Sequence, residues 1–112
     1  MNASPTIDAS VFRELQETAG AEFVTELVAT FLEEAPLMLS ELRSAQATGN
    51  AERFRRAAHS LKSNSHTFGA TALGAQARAL ELGGLVADSA PIDALDAAYA
   101  RAAAALQELT RG

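Results

Sequence analysis

The sequence predicts an all-α fold, an antiparallel up-and-down four-helix bundle with a short extra helix at its N-terminal end. Three observations support this prediction. The composition is rich in Ala, Leu and Glu and only 5% aromatic, which favours helix. Apolar residues recur every three or four positions, as amphipathic helices require, and capping residues, glycines and prolines divide the pattern into five segments. Short connections imply antiparallel neighbours, and 112 residues fit one domain, residues 1–112.

The first two segments form a short helix and a long one. Asp8 or a near neighbour caps the first helix, and Gly20 closes it in a position that tolerates positive φ. Its apolar residues are Val11, Phe12 and Leu15, and we expect it to cover one end of the bundle. The second helix runs from Ala21 to about Ala47, and Pro36 inside it is expected to kink or restart it. The apolar positions of this helix are Phe23, Leu27, Phe31, Ala35, Met38 and Leu42.

Gly49 is expected to end the second helix, and Asn50 to begin the third as its cap. The third helix ends at a turn that Gly69 permits. Its buried positions are predicted to be Phe54, Ala57, Leu61 and Phe68, with His59 on the opposite side.

The fourth helix has one apolar stripe, and its last residue is not fixed by the sequence because both Gly83 and Gly84 could end it. Pro91 suits the first turn of the fifth helix. The stripe of the fourth helix is Leu73, Ala77 and Leu80. The stripe of the fifth is Ile92, Leu95, Tyr99, Ala102, Leu106 and Leu109.

Composition also limits the functions to consider. Without cysteine the chain has no disulfide, thiol catalysis or Cys-based zinc site, which suits a reducing compartment, and we expect a cytoplasmic protein. No apolar run approaches the ~20 residues of a membrane span, and Met1 to Pro5 lack the regions of a signal peptide. The net charge of −5 disfavours generic nucleic-acid binding. A protein is therefore the expected partner.

One face of the third helix carries the residues suited to chemistry. Within about 60° of the His59 direction, at ~100° per residue, lie five other polar or charged side chains. They are Arg55, Arg56, Lys62, Ser63 and His66, and together with His59 we call them the α3 stripe. Lys62 is the only lysine in the chain, and its i+3 position lets its ammonium reach an anion held on the His59 ring. A neutral imidazole is a good nucleophile near pH 7. His66 is too far from His59 for paired metal ligands and suits a docking surface or a helix end.

The stretch Ala58-His59-Ser60-Leu61-Lys62-Ser63-Asn64-Ser65-His66-Thr67-Phe68-Gly69-Ala70 resembles the motif of histidine phosphotransfer (HPt) domains, His-x-Leu-Lys-Gly followed by a later glycine. The resemblance covers most of the chain, including Phe31-Leu32-Glu33-Glu34-Ala35-Pro36 and Leu80-Glu81, and implies the same five-helix architecture. The sequence departs from the motif at Ser63, where the family most often has glycine.

The resemblance implies a role for each matched residue and a partner. His59 is the expected phosphoacceptor, Lys62 steadies the phosphoryl group, and Gly69 keeps the neighbouring surface low for docking. The implied partners are response-regulator receiver domains, or a hybrid sensor histidine kinase, which dock across helices two and three. No metal cluster stands beside His59, so the receiver would supply the aspartate, its acidic pocket and Mg²⁺. We therefore expect a monomeric carrier with no cofactor of its own and no kinase activity, whose docking surface includes Arg55, Arg56, Ser63, His66 and Gly69.

Geometry predicts that Glu81 orients His59. His59 stands ten residues before Gly69 and Glu81 twelve after it. At ~1.5 Å per residue an antiparallel hairpin places both about 15 to 18 Å from the turn. The Glu81 carboxylate would then accept a hydrogen bond from one ring nitrogen and leave the other as the nucleophile, a part that a Gln or Glu plays in related domains. The competing interpretation is a solvated glutamate paired loosely with Arg78.

Two other functional classes compete with the phosphoryl carrier. A kinase or a carboxylate-bridged metal bundle does not fit, because the chain has no glycine-rich nucleotide loop and no Glu-x-x-His pair; Arg56 and Ser63 stand three residues before His59 and His66. A helical adaptor that binds a partner without phosphoryl chemistry would also fit an exposed basic stripe. Retention of both His59 and Lys62 favours the phosphoryl carrier.

Overall fold

The computed structural model describes residues 6–111, which form five α-helices and no strand. The helices are α1 Ala9–Ala19, α2 Ala21–Thr48, α3 Ala51–Thr67, α4 Thr71–Gly83 and α5 Ala90–Thr110. α3 packs between α2 and α4, and α5 closes the ring by packing against both α2 and α4. The predicted all-α bundle with an extra N-terminal helix is confirmed. The prediction about Met1 to Pro5 lies outside the described residues.

The helix boundaries arise from the capping residues that the sequence supplies. The Asp8 carboxylate accepts hydrogen bonds from the backbone amides of Ser10 and Val11, at 3.0 and 3.4 Å. The Asn50 side chain accepts one from the amide of Arg53 at 3.1 Å. Gly20, with φ of 96°, separates α1 from α2, so the predicted cap and stop are confirmed.

α1 does more than cover the bundle. Phe12 is buried, and α1 packs against α2 and α3 so that this ring belongs to the common core. Val11 and Leu15 are half-buried beside it. The expectation of a peripheral cover is therefore corrected, because the helix contributes a side chain to the core.

The buried stripe of α2 lies one position away from the predicted one at its start. Phe23 is 52% exposed, whereas Val24 is fully buried; Leu27 and Met38 are only partly buried. The buried residues are Val24, Val28, Phe31, Ala35, Leu39, Leu42 and Ala45. Adjacent apolar residues allow two registers in the first turns of this helix. Both registers reach Phe31 in steps of three or four residues, and the structure has the one that passes through Val24 and Val28.

The two prolines within the helices of residues 6–111, Pro36 and Pro91, occupy different positions, one inside α2 and one in the first turn of α5. α2 continues through Pro36 as one helix, so of the two predicted effects the restart is wrong, and the kink stays a prediction. Pro91 lies in the first turn of α5, as predicted, and α4 ends at Gly83. Leu109 in the last turn of α5 is 44% exposed and is not a core residue. None of the helices in residues 6–111 is long and apolar enough to cross a membrane.

The core fixes α3 and α4 relative to the rest of the bundle. The Phe31 ring lies 5.3 Å from the ring of Phe68 at the end of α3 and 6.0 Å from that of Tyr99 on α5. On the α4–α5 connection, the backbone of Val86 exchanges two hydrogen bonds with the side-chain amide of Gln46, at 2.5 and 3.0 Å. These contacts join α2 to the residue after α3, to α5 and to the connection that follows α4.

Candidate functional site

α3 presents one polar face and one buried face, as its sequence pattern predicts. The His59 side chain is 53% exposed, and the other residues of the α3 stripe are exposed except Lys62, whose side chain is 23% exposed. The buried residues of α3 are Phe54, Ala57, Ala58, Leu61 and Ser65. Ser65 is accommodated in the core because its hydroxyl donates to the carbonyl of Leu61 at 2.6 Å.

Glu81 of α4 contacts the His59 ring, as the hairpin geometry predicts. Its Oε2 lies 2.8 Å from Nδ1 of His59 across 22 residues of sequence. The Glu81 side chain is 13% exposed, so it lies between the helices rather than in solvent. In residues 6–111 its carboxylate contacts the His59 ring and forms an ion pair with Lys62, and the competing interpretation of a loose pair with Arg78 is wrong.

This contact assigns the tautomer of the ring. An ionised carboxylate only accepts hydrogen bonds, so the proton in the contact belongs to Nδ1 of His59. The Lys62 ammonium and then the His59 ring hold the pKa of Glu81 below its ordinary value of 4.5, so the carboxylate is charged at neutral pH. In the neutral ring Nε2 therefore carries the free lone pair, and within residues 6–111 it has no hydrogen-bond partner.

Lys62 also contacts Glu81, a contact that the sequence interpretation did not include. Its Nζ lies 2.9 Å from Oε1, a buried atom. The separation is that of an ion pair, although the contact does not meet the geometry of a hydrogen bond. The position of Lys62 at i+3 from His59 indicated that both could reach one group, but it did not indicate a carboxylate between them.

The arginines around His59 differ in how far other charges engage them. Arg55 pairs with Glu52 at 2.6 Å, within one turn of α3. Arg53 pairs with Glu41 of α2 at 2.7 Å. Arg56 has no carboxylate within 4.0 Å in the described part of the chain. Of these three side chains it is the one whose charge is most available to a partner.

A groove between α2 and α3 lies beside the α3 stripe, of which Arg56 lines it. Its volume is about 380 Å³, and Ser60, the residue after His59 in sequence, also lines it on the α3 side. Leu37 lines the α2 side and is 68% exposed. The remaining lining residues are Met38, Glu41, Arg53 and Ala57. A partner that contacts His59 from this side meets an apolar strip with basic neighbours.

Gly69 does not form part of an open docking surface. It is buried, with φ of 80°, and a Cβ atom there would lie 2.9 Å from the backbone oxygen of Asp8 and 3.1 Å from Cβ of Val11. The prediction that Gly69 keeps the surface low for a partner is therefore corrected, because the start of α1 covers this residue. Ser63, in contrast, is exposed on the α3 stripe.

The His66 ring lies against Gly74 of α4. The sequence interpretation did not predict this contact. A Cβ atom on Gly74 would stand 2.8 Å from Cε1 and 2.9 Å from Nε2 of the His66 ring. The ring is therefore seated where α4 has no side chain. His66 is exposed and on the predicted face, and its role in docking stays a prediction.

Comparisons with known proteins agree with this geometry. The Hpt domain family model matches residues 26–105. The crystal structure of histidine-containing phosphotransfer protein B (HptB) from Pseudomonas aeruginosa PAO1 superimposes with a TM-score of 0.84 at 25% sequence identity, and the match covers 97% of each chain. A comparison with curated protein sequences gave no significant match. The matched residues include the whole of α3 and α4, which carry the site.

Proposed function

The chain belongs to the Hpt domain family, a family of histidine phosphotransfer domains in phosphorelays, and we propose that His59 is the residue on which it carries the phosphoryl group. In this proposal His59 accepts the group from an aspartate of one receiver domain and passes it to another receiver domain. One observation carries the assignment: a nearly buried carboxylate holds Nδ1, and the other nitrogen of the exposed ring is left unbonded on a basic face.

The chemistry follows from the assigned tautomer. The Nε2 lone pair of His59 attacks the phosphorus of an aspartyl phosphate, the N–P bond forms, and the P–O bond to the aspartate breaks, releasing a carboxylate. No proton is transferred in this step. Nδ1 keeps its proton, so the phosphorylated ring is a cation, and the Glu81 carboxylate at 2.8 Å stabilises that charge. The reverse sequence returns the group, with neutral imidazole as the leaving group.

Phosphoryl transfer of this kind uses Mg²⁺, and the residues beside His59 do not fit such an ion. The carboxylate that contacts the ring is Glu81, and both of its oxygens already face basic groups. The nearby Glu41 and Glu52 are each engaged by an arginine. We therefore keep Mg²⁺ as a component that the receiver domain supplies, and no step on this chain involves it.

The proposed docking surface combines the α3 stripe with the groove between α2 and α3. Arg56 belongs to both, and Ser63 and His66 extend the surface along α3. A receiver that brings an acidic pocket to His59 would meet Arg56 as a cation without an ion-pair partner in residues 6–111. The exposed Leu37 adds an apolar contact on the α2 side.

The experiment that tests the proposal is transfer from a phosphorylated receiver domain in the presence of Mg²⁺. Intact-mass analysis should show one added phosphoryl group that is acid-labile and alkali-stable. His59→Gln should abolish the addition, whereas His66→Gln, which alters the second histidine and a residue of the docking surface, should slow the addition without abolishing it. Labelling that persists in His59→Gln would contradict the assignment.

The same assay separates a carrier from a helical adaptor. An adaptor would bind the receiver without acquiring a phosphoryl group, and its binding would not depend on the His59 ring. We also propose that the chain has no kinase activity, so incubation with ATP and Mg²⁺ alone should leave it unmodified. A monomeric state and a cytoplasmic location remain part of the proposal, to be tested by sedimentation and by cell fractionation.

A further inference from the structure

The Glu81 carboxylate serves two basic side chains at once. Its Oε2 contacts Nδ1 of His59 at 2.8 Å, and its Oε1 lies 2.9 Å from Nζ of Lys62. Oε1 is buried and has no hydrogen-bond partner of good geometry in residues 6–111, so the Lys62 ammonium is the group that balances it. In the unphosphorylated state the charge of Lys62 is therefore directed toward Glu81 rather than free for an incoming anion.

Phosphorylation of His59 would change the number of charges at this site. With the ring in the neutral form that attacks phosphorus, the site holds one cation, Lys62, and one anion, Glu81. After transfer the phosphoryl group adds about two negative charges, and the ring becomes a cation that keeps its Nδ1 proton. Two anionic groups then face two cationic groups. The ring cation is paired with Glu81 through its Nδ1 proton. The phosphoryl oxygens therefore attract the other cation, the mobile ammonium of Lys62.

We propose that Lys62 exchanges partners when His59 is phosphorylated, leaving Oε1 of Glu81 for the phosphoryl oxygens while Glu81 keeps its contact with Nδ1. This inference rests on the proposed phosphorylation of His59. Lys62 is one turn after His59 on the same face, and its flexible four-carbon stem allows the ammonium to move without a backbone change. The exchange moves an ion pair and forms no covalent bond.

The arginines on the same face are placed less well for this exchange. Arg55 is held by Glu52 at 2.6 Å. Arg56 lies on the other flank of the stripe, in the groove between α2 and α3, where it is available to the partner protein. Lys62 is on the α4 side with Glu81. To contact the phosphoryl group, its ammonium must leave the Glu81 carboxylate. Glu81 would thereby limit how strongly Lys62 stabilises the phosphorylated state, which suits a carrier that has to release its group.

The composition of the chain makes the exchange directly measurable. Lys62 is the only lysine, so protein labelled with ¹³C,¹⁵N-lysine gives a single side-chain ammonium signal in NMR spectra. The chain has two histidines, so histidine labelling reports phosphorylation at His59 through its ring nitrogens and leaves His66 as an internal reference. The phosphoryl donor for this experiment is an unlabelled phosphorylated receiver domain with Mg²⁺, which contributes no signal to spectra of the labelled chain.

The measurement compares the parental chain with Glu81→Gln, before and after phosphorylation. Before phosphorylation, Glu81→Gln should shift the Lys62 signal, because the charged partner at 2.9 Å is lost. After phosphorylation, the difference between the two proteins should shrink several-fold, because Lys62 has left residue 81 in both. Glu52→Gln is the matched control: it removes a carboxylate paired on the same helix and should leave the Lys62 signal unchanged in either state.

Two results would overturn the inference in distinguishable ways. A difference of unchanged size after His59 is phosphorylated would mean that Lys62 stays on Glu81, and the phosphoryl group would then rely on other cations such as Arg56. If the ring of His59 acquires no phosphoryl group at all, the proposed function fails and the exchange fails with it. The histidine signals decide between these cases independently of the lysine signal.

Discussion

The backbone amide of Asp8 donates a hydrogen bond to the carbonyl oxygen of Gly69 at 2.8 Å, which ties the start of α1 to the turn between α3 and α4. Gly69 has φ of 80°, a conformation that costs any other L-residue free energy, and a Cβ atom would stand 2.9 Å from the Asp8 carbonyl oxygen. The glycine that ends the family motif therefore secures the N-terminal helix against the helix that carries His59.

We predict that Gly69→Ala lowers the free energy of unfolding by about 1–3 kcal/mol, since backbone strain adds to contact with a backbone atom that cannot easily move. Urea denaturation measures the loss. Gly49→Ala is the control, because Gly49 has φ of 69° but nothing within 4 Å of its Cβ position. It should lose less than Gly69→Ala, and equal losses would show that α1 does not press on Gly69.

Ser63→Arg should slow phosphoryl transfer between this chain and a receiver by about tenfold or more, because a long side chain would stand on the α3 stripe next to His59. Circular dichroism should show an unchanged helical fold, since Ser63 is exposed. Gln107→Arg adds the same charge on an exposed position of α5 and should transfer at the parental rate. Equal rates for the two variants would exclude this face as the docking surface.

Glu81→Ala should slow transfer by about tenfold or more, because the ring of His59 loses the acceptor that fixes its tautomer. Glu81→Gln should retain much of the rate, since the amide oxygen can still accept from Nδ1. Nitrogen NMR of the imidazole supplies a second readout: the population with hydrogen on Nδ1 should fall in Glu81→Ala and be kept in Glu81→Gln. Parental transfer and an unchanged tautomer in Glu81→Ala would remove the orienting role.

The contact between Glu81 and His59 was predictable from the sequence. Helix rise and the turn glycine together fix how far each residue lies from the turn along its helix. Counting residues from Gly69 placed Glu81 opposite His59, and the structure confirms the contact at 2.8 Å. The same reasoning identified the exposed side of α3, because residues opposite Phe54 and Leu61 must face solvent in a bundle. Local spacing was sufficient in both cases.

Features set by packing between distant segments were not predictable in the same way. Whether Phe23 or Val24 turns inward depends on the register of α2 against its neighbours, which adjacent apolar residues leave open. The burial of Gly69 depends on where the chain before α1 passes, about 60 residues earlier in sequence. The pairing of Lys62 with Glu81 required the rotamers of two long side chains, which spacing alone does not give.

The last prediction concerns pH and stability. Lys62 first, and His59 second, hold the pKa of Glu81 below its ordinary value of 4.5. A carboxyl group whose pKa is lower in the folded chain than in the unfolded chain stabilises the fold above the unfolded value. It loses that contribution as the pH falls through the folded value. The stability advantage of the parental chain over Glu81→Gln should therefore shrink as the pH is lowered from about 5 to about 3.

Urea denaturation of both proteins at several pH values in this range measures the change. Other carboxylates with lowered pKa, such as Glu41 and Glu52, are present in both proteins, so the difference between the curves isolates Glu81. Lys62→Met removes the first cause of the shift, and Glu81→Gln made in that background should show a weaker dependence on pH. Parallel curves for the parental chain and Glu81→Gln would mean that the carboxylate gains nothing from Lys62 and His59 on folding. In that case the ion pair at 2.9 Å would be a contact without energetic consequence.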